Sequence, residues 1–176
     1  MTLEKHLVDT MKEWQMKIGN LDSDMRLYYP KDSLCDYLRL EHDISNESLK
    51  EYIRKYLADK AGYLGEIAVS YERNRFCILV GETGCAYVEQ SVPEPVFLVK
   101  FLKVLQAQNM DRIRMLFDEY AEQHGTTVCS EKEEDGCGTV LYFEDENADP
   151  YVYCIDQNEF GITYHRFAKS DFESDG

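Results

Sequence analysis

Cys154 and His165 stand on two short runs, Tyr151-Val152-Tyr153-Cys154-Ile155 and Ile162-Thr163-Tyr164-His165-Arg166-Phe167, that read as the arms of one hairpin. With residues 157–160 as the turn, Asp156 faces Gly161, Cys154 faces Thr163 and Val152 faces His165. The thiol and the imidazole are then diagonal neighbours on one face, with Cβ atoms roughly 6–8 Å apart. A thiol so placed beside a base is a nucleophile in waiting, although a one-residue slip would send the two to opposite faces. Val152 and Phe167 share that face, which points to burial and an inert thiol. No oxyanion-hole motif or third partner accompanies the pair. A structural role is expected, with Cys154 and His165 as the catalytic candidates.

The segment Asp145-Glu146-Asn147-Ala148-Asp149-Pro150 carries a second possible chemistry. Asp145, Asn147 and Asp149 occupy the first three ligand positions of a calcium loop, and Asp156 falls at the twelfth. Pro150 occupies the position where such a loop needs glycine, and proline's fixed negative φ forbids that turn. The flanks read as strands rather than helices. An acidic turn is expected here, with Asp145, Asn147, Asp149 and Asp156 as the metal-ligand candidates and no cofactor. The six cysteines (Cys35, Cys77, Cys85, Cys129, Cys137 and Cys154) include no CxxC pair, so they are expected to be free thiols of a reducing compartment. Cys85 and Cys137 close similar phrases, Glu82-Thr83-Gly84-Cys85 and Glu134-Asp135-Gly136-Cys137, both expected as hairpin turns. His6, His42 and His124 lack ligand spacing, and no Gly-rich phosphate loop, GxSxG elbow or HExxH occurs.

Charge is distributed unevenly. Residues 1–88 carry 12 Lys/Arg against 15 Asp/Glu, and residues 89–176 carry 7 against 19, within a net charge of −15. Such a field repels phosphates, so direct nucleic-acid binding is not expected; the Arg73-Asn74-Arg75 turn is too small to make a groove. Tyrosines are abundant, 13 in all, and tyrosine suits both core edges and recognition surfaces. Glu144, Asp145, Glu146 and Asp149 with Tyr151, Tyr153 and Tyr164 are the expected contact set for a basic protein surface. The leading expectation is a non-catalytic acidic interaction module, in its sharpest form a nucleic-acid mimic that inhibits a DNA- or RNA-handling or defence enzyme. The alternative is a small cytosolic hydrolase or transferase using Cys154 and His165 or the Asp145–Asp156 carboxylates.

The elements that must position these residues follow from periodicity. Leu3, Leu7, Met11, Trp14 and Ile18 make a helical stripe that stops at Gly19. Residues 25–29 form an extended segment ended by Pro30, in which successive residues face opposite ways, so Tyr28 and Tyr29 cannot both be core. A short helix capped by Asp32 or Ser33 reaches Leu38, and a longer one follows Ser45-Asn46. Runs at 64–71, 75–80 and 85–89 read as an antiparallel meander. Two helices, at 96–106 and 111–124, precede strands at 126–132, 139–143, 151–155 and 162–167. Strands in two blocks separated by helices argue for an α+β fold, antiparallel sheets from two meander regions packed against about five helices. Residues 1–170 are expected to form a single domain and residues 171–176 an acidic tail. The longest apolar runs, such as Val96-Phe97-Leu98-Val99, are too short to cross a bilayer, and the N-terminus lacks an uninterrupted apolar h-region. A cytoplasmic protein is expected.

Arg26-Leu27-Tyr28-Tyr29-Pro30, Arg75-Phe76-Cys77, Tyr153-Cys154-Ile155 and Thr163-Tyr164-His165-Arg166-Phe167, followed by Asp171-Phe172, resemble an uncharacterised bacterial family of similar length known only as a domain of unknown function. These phrases spread over nearly the whole chain. The resemblance implies a bacterial origin and brings no activity, cofactor or catalytic residue with it.

Overall fold

A computed structural model describes residues 1–19, 23–132 and 138–169, without the side chain of Lys132. The chain divides into two compact units, Met1–Glu94 and Pro95–Gly176, and the division falls in the Pro93-Glu94-Pro95 stretch. The described residues form six helices and two antiparallel sheets, an α+β architecture.

The first unit holds α1 (Leu3–Ile18), β1 (Met25–Tyr29), α2 (Lys31–Leu38), α3 (Asn46–Lys60), β2 (Ile67–Glu72), β3 (Arg75–Val80) and α4 (Glu82–Ser91). Its boundaries have local causes. Gly19 closes α1 at φ 78, and the Ser45 hydroxyl caps α3 by accepting from the Ser48 N–H at 3.2 Å. The sheet order is β1-β3-β2, so β1 lies at an edge. Along β1 burial alternates: Met25, Leu27 and Tyr29 are buried, Arg26 and Tyr28 exposed. The buried set joins Leu7 and Met11 of α1, Ile53 and Leu57 of α3, Phe76 and Ile78 of β3 and Val88 of α4 in one core.

The third strand expected at 85–89 is a helix. Gly84, Cys85 and Val88 are the buried residues of α4, spaced for one helical face rather than for a strand. Gly84 is no turn glycine. A Cβ there would stand 2.5 Å from the Leu64 carbonyl oxygen and would collide with Val80, so glycine lets α4 press against the preceding turn. The phrase Glu134–Cys137, read as the matching hairpin, lies outside the described residues. Across from α4, the buried Lys12 and Gln15 of α1 reach its main chain: Lys12 Nζ donates to the Glu89 carbonyl at 3.1 Å and Gln15 Nε2 to the Cys85 carbonyl at 2.8 Å.

The second unit packs α5 (Val96–Leu105) and α6 (Met110–His124) on a sheet of β4 (Val128–Lys132), β5 (Gly138–Phe143), β6 (Tyr151–Asn158) and β7 (Gly161–Ala168) in that order. Asn109 caps α6 through the Arg112 N–H, and Gly125 ends it in the left-handed region. The core is aromatic. Phe97 has ring neighbours in Phe117 at 4.8 Å, Phe143 at 4.9 Å and Tyr153 at 5.4 Å, all three edge to face, the arrangement ring quadrupoles favour. β7, an edge strand, is met by Gln108 from the α5–α6 connection. The Ile162 N–H donates to Gln108 Oε1 at 2.5 Å, and Gln108 Nε2 donates to the Ile162 carbonyl at 3.2 Å.

Two outcomes follow. Gly84→Ala is expected to destabilise by about 1–3 kcal/mol through overpacking; were the site open, alanine would instead stabilise the helix by about 1 kcal/mol, so the sign of the shift in urea midpoint decides. Glu4 accepts a hydrogen bond from the Tyr56 hydroxyl at 2.5 Å. Burial alone would raise the Glu4 carboxyl, but the Tyr56 bond and neighbouring backbone and side-chain donors outweigh it and hold its pKa below 4.5, while burial and Glu4 push the Tyr56 phenol up to about 12. A depressed folded-state pKa stabilises the fold above the unfolded value and ceases to do so as pH falls through the folded one. Tyr56→Phe should therefore lower stability at neutral pH, and denaturation from pH 7 downward should show that deficit shrinking once pH drops below 4.5.

Candidate functional site

In the first unit, α1, β1 and α2 enclose a cavity of about 430 Å³, within the range of ligand pockets. Helix α1 contributes His6, Thr10 and Trp14, spaced four apart and so on one side of the helix. Strand β1 contributes Arg26, Leu27, Tyr28 and Tyr29 with Pro30 beyond it, and α2 contributes Ser33 and Tyr37. Consecutive residues of a strand point to opposite faces of its sheet. A space lined by both Arg26/Tyr28 and Leu27/Tyr29 therefore lies over neither face but along the strand's side. Because β3 holds the other side of β1, this is the edge that no strand among the described residues pairs.

The groove's interior is held by aromatic contacts. His6 stacks on Tyr37 with centroids 4.8 Å apart and meets Tyr29 edge-on. His6 Nδ1 and the Tyr29 hydroxyl are hydrogen-bonded at 3.2 Å. Burial raises the Tyr29 phenol well above its ordinary pKa, against a hydrogen bond to Thr10 that acts the other way, so it stays a neutral hydroxyl. The mouth is open: Trp14 is 46 % and Tyr28 49 % exposed. Among the described residues no carboxylate, cysteine or lysine lines the space. Arg26 and His6 supply its ionisable nitrogen chemistry. The arrangement offers stacking surface, hydroxyl hydrogen bonds and a guanidinium fork, which are means of binding.

The second unit's candidates fall elsewhere. Cys154 pairs directly with His165. The expected diagonal placement is corrected because the turn is two residues, Glu159 and Phe160, and Asn158 rather than Asp156 faces Gly161. Asn158 Oδ1 accepts from the Phe160 N–H at 2.9 Å and Gly161 adopts φ 132, which together tighten the loop. The two share a face as expected. Cys154 is buried with Val140 and Val152 beneath Tyr142 and Phe167, while His165 is exposed.

In the acidic turn Asp145 and Asp149 each bond to groups of their own segment. Asp145 Oδ1 accepts from the Asn147 backbone and side-chain amides at 2.9 and 2.8 Å. Asp149 is buried; it accepts from the Tyr151 N–H at 3.0 Å and from the Tyr153 hydroxyl at 3.4 Å. Asp156 lies on β6 opposite Thr163, about 20 Å of strand away from Asp149. Among the described residues no group of three or more His, Cys, Asp or Glu side chains is placed to hold a metal ion. Glu144, Asp145 and Glu146 are exposed, whereas Tyr151 and Tyr153 are buried and Tyr164 is half-buried against Phe101. Those tyrosine rings belong to the core or its border, and Arg166 covers Tyr151 at 4.0 Å.

The family model described as "Domain of unknown function, E. rectale Gene description (DUF3877)" matches residues 1–175. The chain belongs to the DUF3877 family. No curated protein and no solved structure matches it significantly. No helix among the described residues is long and apolar enough to cross a membrane. In this DUF3877 chain the Arg26–Pro30 phrase, expected as an extended segment with Tyr28 and Tyr29 facing opposite ways, forms one wall of the groove. The other two walls were overlooked. His6/Thr10/Trp14 and Ser33/Tyr37 both carry i, i+4 spacing, but nothing local to either helix says that they meet over the side of a strand.

Proposed function

We propose that the protein is a non-catalytic binding module whose site is the aromatic groove beside β1. The observation that carries this reading is that five consecutive residues, Arg26–Pro30, line one cavity at a strand edge that is unpaired among the described residues. The donor set supports binding over reaction: His6 is stacked on Tyr37 and hydrogen-bonded to the Tyr29 hydroxyl, and no carboxylate or cysteine among the described residues lines the space. Cys35, Cys77, Cys85 and Cys129 are free thiols, in keeping with a cytoplasmic location. The single tryptophan, Trp14, lies in the groove and reports on its occupancy. Titration with capped tripeptides and with aromatic carboxylates should move Trp14 emission to shorter wavelength for at least one class. Tyr28→Ala, at an exposed position, should abolish that shift without altering the unfolding midpoint. An emission spectrum unmoved by every probe, or a shift that survives Tyr28→Ala, overturns the proposal.

The exposed Glu144-Asp145-Glu146 turn supports a second reading, the acidic surface that docks a basic protein, up to a nucleic-acid mimic that occupies an enzyme's groove. With Tyr151 and Tyr153 buried, such docking rests on charge. Phe160, 91 % exposed, is at the other end of β6 from this turn. Reversing all three charges to lysine should then cut the association rate with a basic test protein, such as a histone, by about tenfold or more at low salt and little at high salt. Stopped-flow rates that are indifferent to the reversal remove this reading.

A further inference from the structure

We infer that the groove's occupant is an extended peptide that adds to β1 as a fourth strand, with an apolar side chain turned under α1 and a carboxylate side chain turned toward Arg26. The inference rests on the groove reading above and names its partner. An edge strand directs the N–H and C=O groups of alternate residues outward, and the cavity runs along that side of β1. Among the described residues, no backbone hydrogen bond outside the ladder falls on Arg26, Leu27, Tyr28 or Tyr29. Five residues offer about 17 Å of strand, room for a short extended segment, the β-augmentation mode of peptide recognition.

The other unit shows what a closed edge looks like in this chain. On β7 the outward N–H and C=O of Ile162 are both taken by the Gln108 amide, a side chain standing in for a neighbouring strand. β1 has no such clasp among the described residues. Instead its side faces His6, Thr10 and Trp14, with Tyr28 beside the mouth.

Side-chain specificity follows from strand alternation. Tyr29 points to the sheet face where α1 lies, since its hydroxyl meets His6; Arg26 and Tyr28 point to the other. An added strand likewise alternates, so every second residue meets the Trp14 side of α1 and the intervening ones meet Arg26 and Tyr28. The first environment suits valine, leucine or an aromatic ring. The second suits a carboxylate, which a guanidinium can hold bidentately. The net charge of −15 acts against an acidic peptide at long range, but at physiological salt that field is screened beyond about 8 Å, and the contact with Arg26 is local.

The experiment uses the whole chain and capped hexapeptides of alternating valine and glutamate, read by Trp14 emission and by polarisation of a labelled copy at about 0.15 M salt. The valine–glutamate peptide should bind at least about tenfold more tightly than the valine–lysine peptide, the gain of a charge-assisted hydrogen bond, and Arg26→Glu should invert that order. N-methylation of alternate peptide amides in one phase should abolish binding, and in the other phase should leave it, because only one set of amides faces β1. Equal tolerance of both phases, or preference for lysine, overturns the peptide assignment. So does a concentration-dependent dimer in sedimentation that Arg26→Glu dissolves, since the edge would then pair with a second copy. If aromatic carboxylates move Trp14 emission while no peptide shows phase dependence, the groove stands and the strand-addition inference falls; if neither class moves it, both fall.

Discussion

Everything about the groove depends on the rotation of α1 about its own axis. That rotation is held by two polar side chains, Lys12 and Gln15, which reach the main-chain carbonyls of α4. A buried ammonium is tolerable only with oxygen partners, and carbonyls near a helix C-terminus are suited to receive it. Thr10 and Lys12, two residues apart, lie about 160° apart around the helix. Anchoring the Lys12 side to α4 therefore turns the His6/Thr10/Trp14 side toward β1. Leu7 and Met11, fully buried between them, supply the apolar contact that makes the helix adhere at all. The hydrophobic stripe brings α1 to the sheet; the polar pair sets which way it faces.

Tyrosine usage separates the two units. In the second, Tyr153 is wholly buried and joins Phe97, Phe101 and Phe117, so the residue's area goes into a ring lattice. In the first, Tyr28 and Tyr29 sit one position apart with opposite fates, one at the mouth and one buried. The same side chain thus fills the core of one sheet and borders an open groove beside the other. Strand position, more than abundance, decides between them.

Much of the fold was legible because its punctuation is local. Gly19, Pro30, Ser45 and Gly125 mark boundaries through backbone and capping chemistry that needs no tertiary context, and the strand alternation of Tyr28 and Tyr29 could be read directly. The exceptions share a cause. Gly84 resembles a turn residue until Leu64 is seen pressing on it, so β-branched and aromatic neighbours drew residues 85–89 into a strand that is in fact α4. The β6–β7 register hinged on Asn158 and Gly161 making a two-residue turn, where a four-residue one placed Cys154 beside Thr163. The groove was the least legible feature: its three walls come from segments whose meeting is a tertiary event. Charge drew attention to Glu144–Glu146 because composition is visible without a fold, whereas an unpaired edge is not.

The Gln108 clasp has a consequence for how the second unit opens. Gln108 sits at φ 49, a region unfavourable for a residue with a Cβ, yet its amide also donates to the Leu105 carbonyl at 3.0 Å. The Gln108 side chain thereby joins the end of α5 to the start of β7, at Ile162, 54 positions beyond Gln108. The helix connection and the hairpin, each local in the chain, can no longer fray independently, because releasing either exposes polar groups that the other had satisfied. Two peripheral segments of the kind that usually open at little cost in free energy are thus bound into one cooperative unit by a single amide plane.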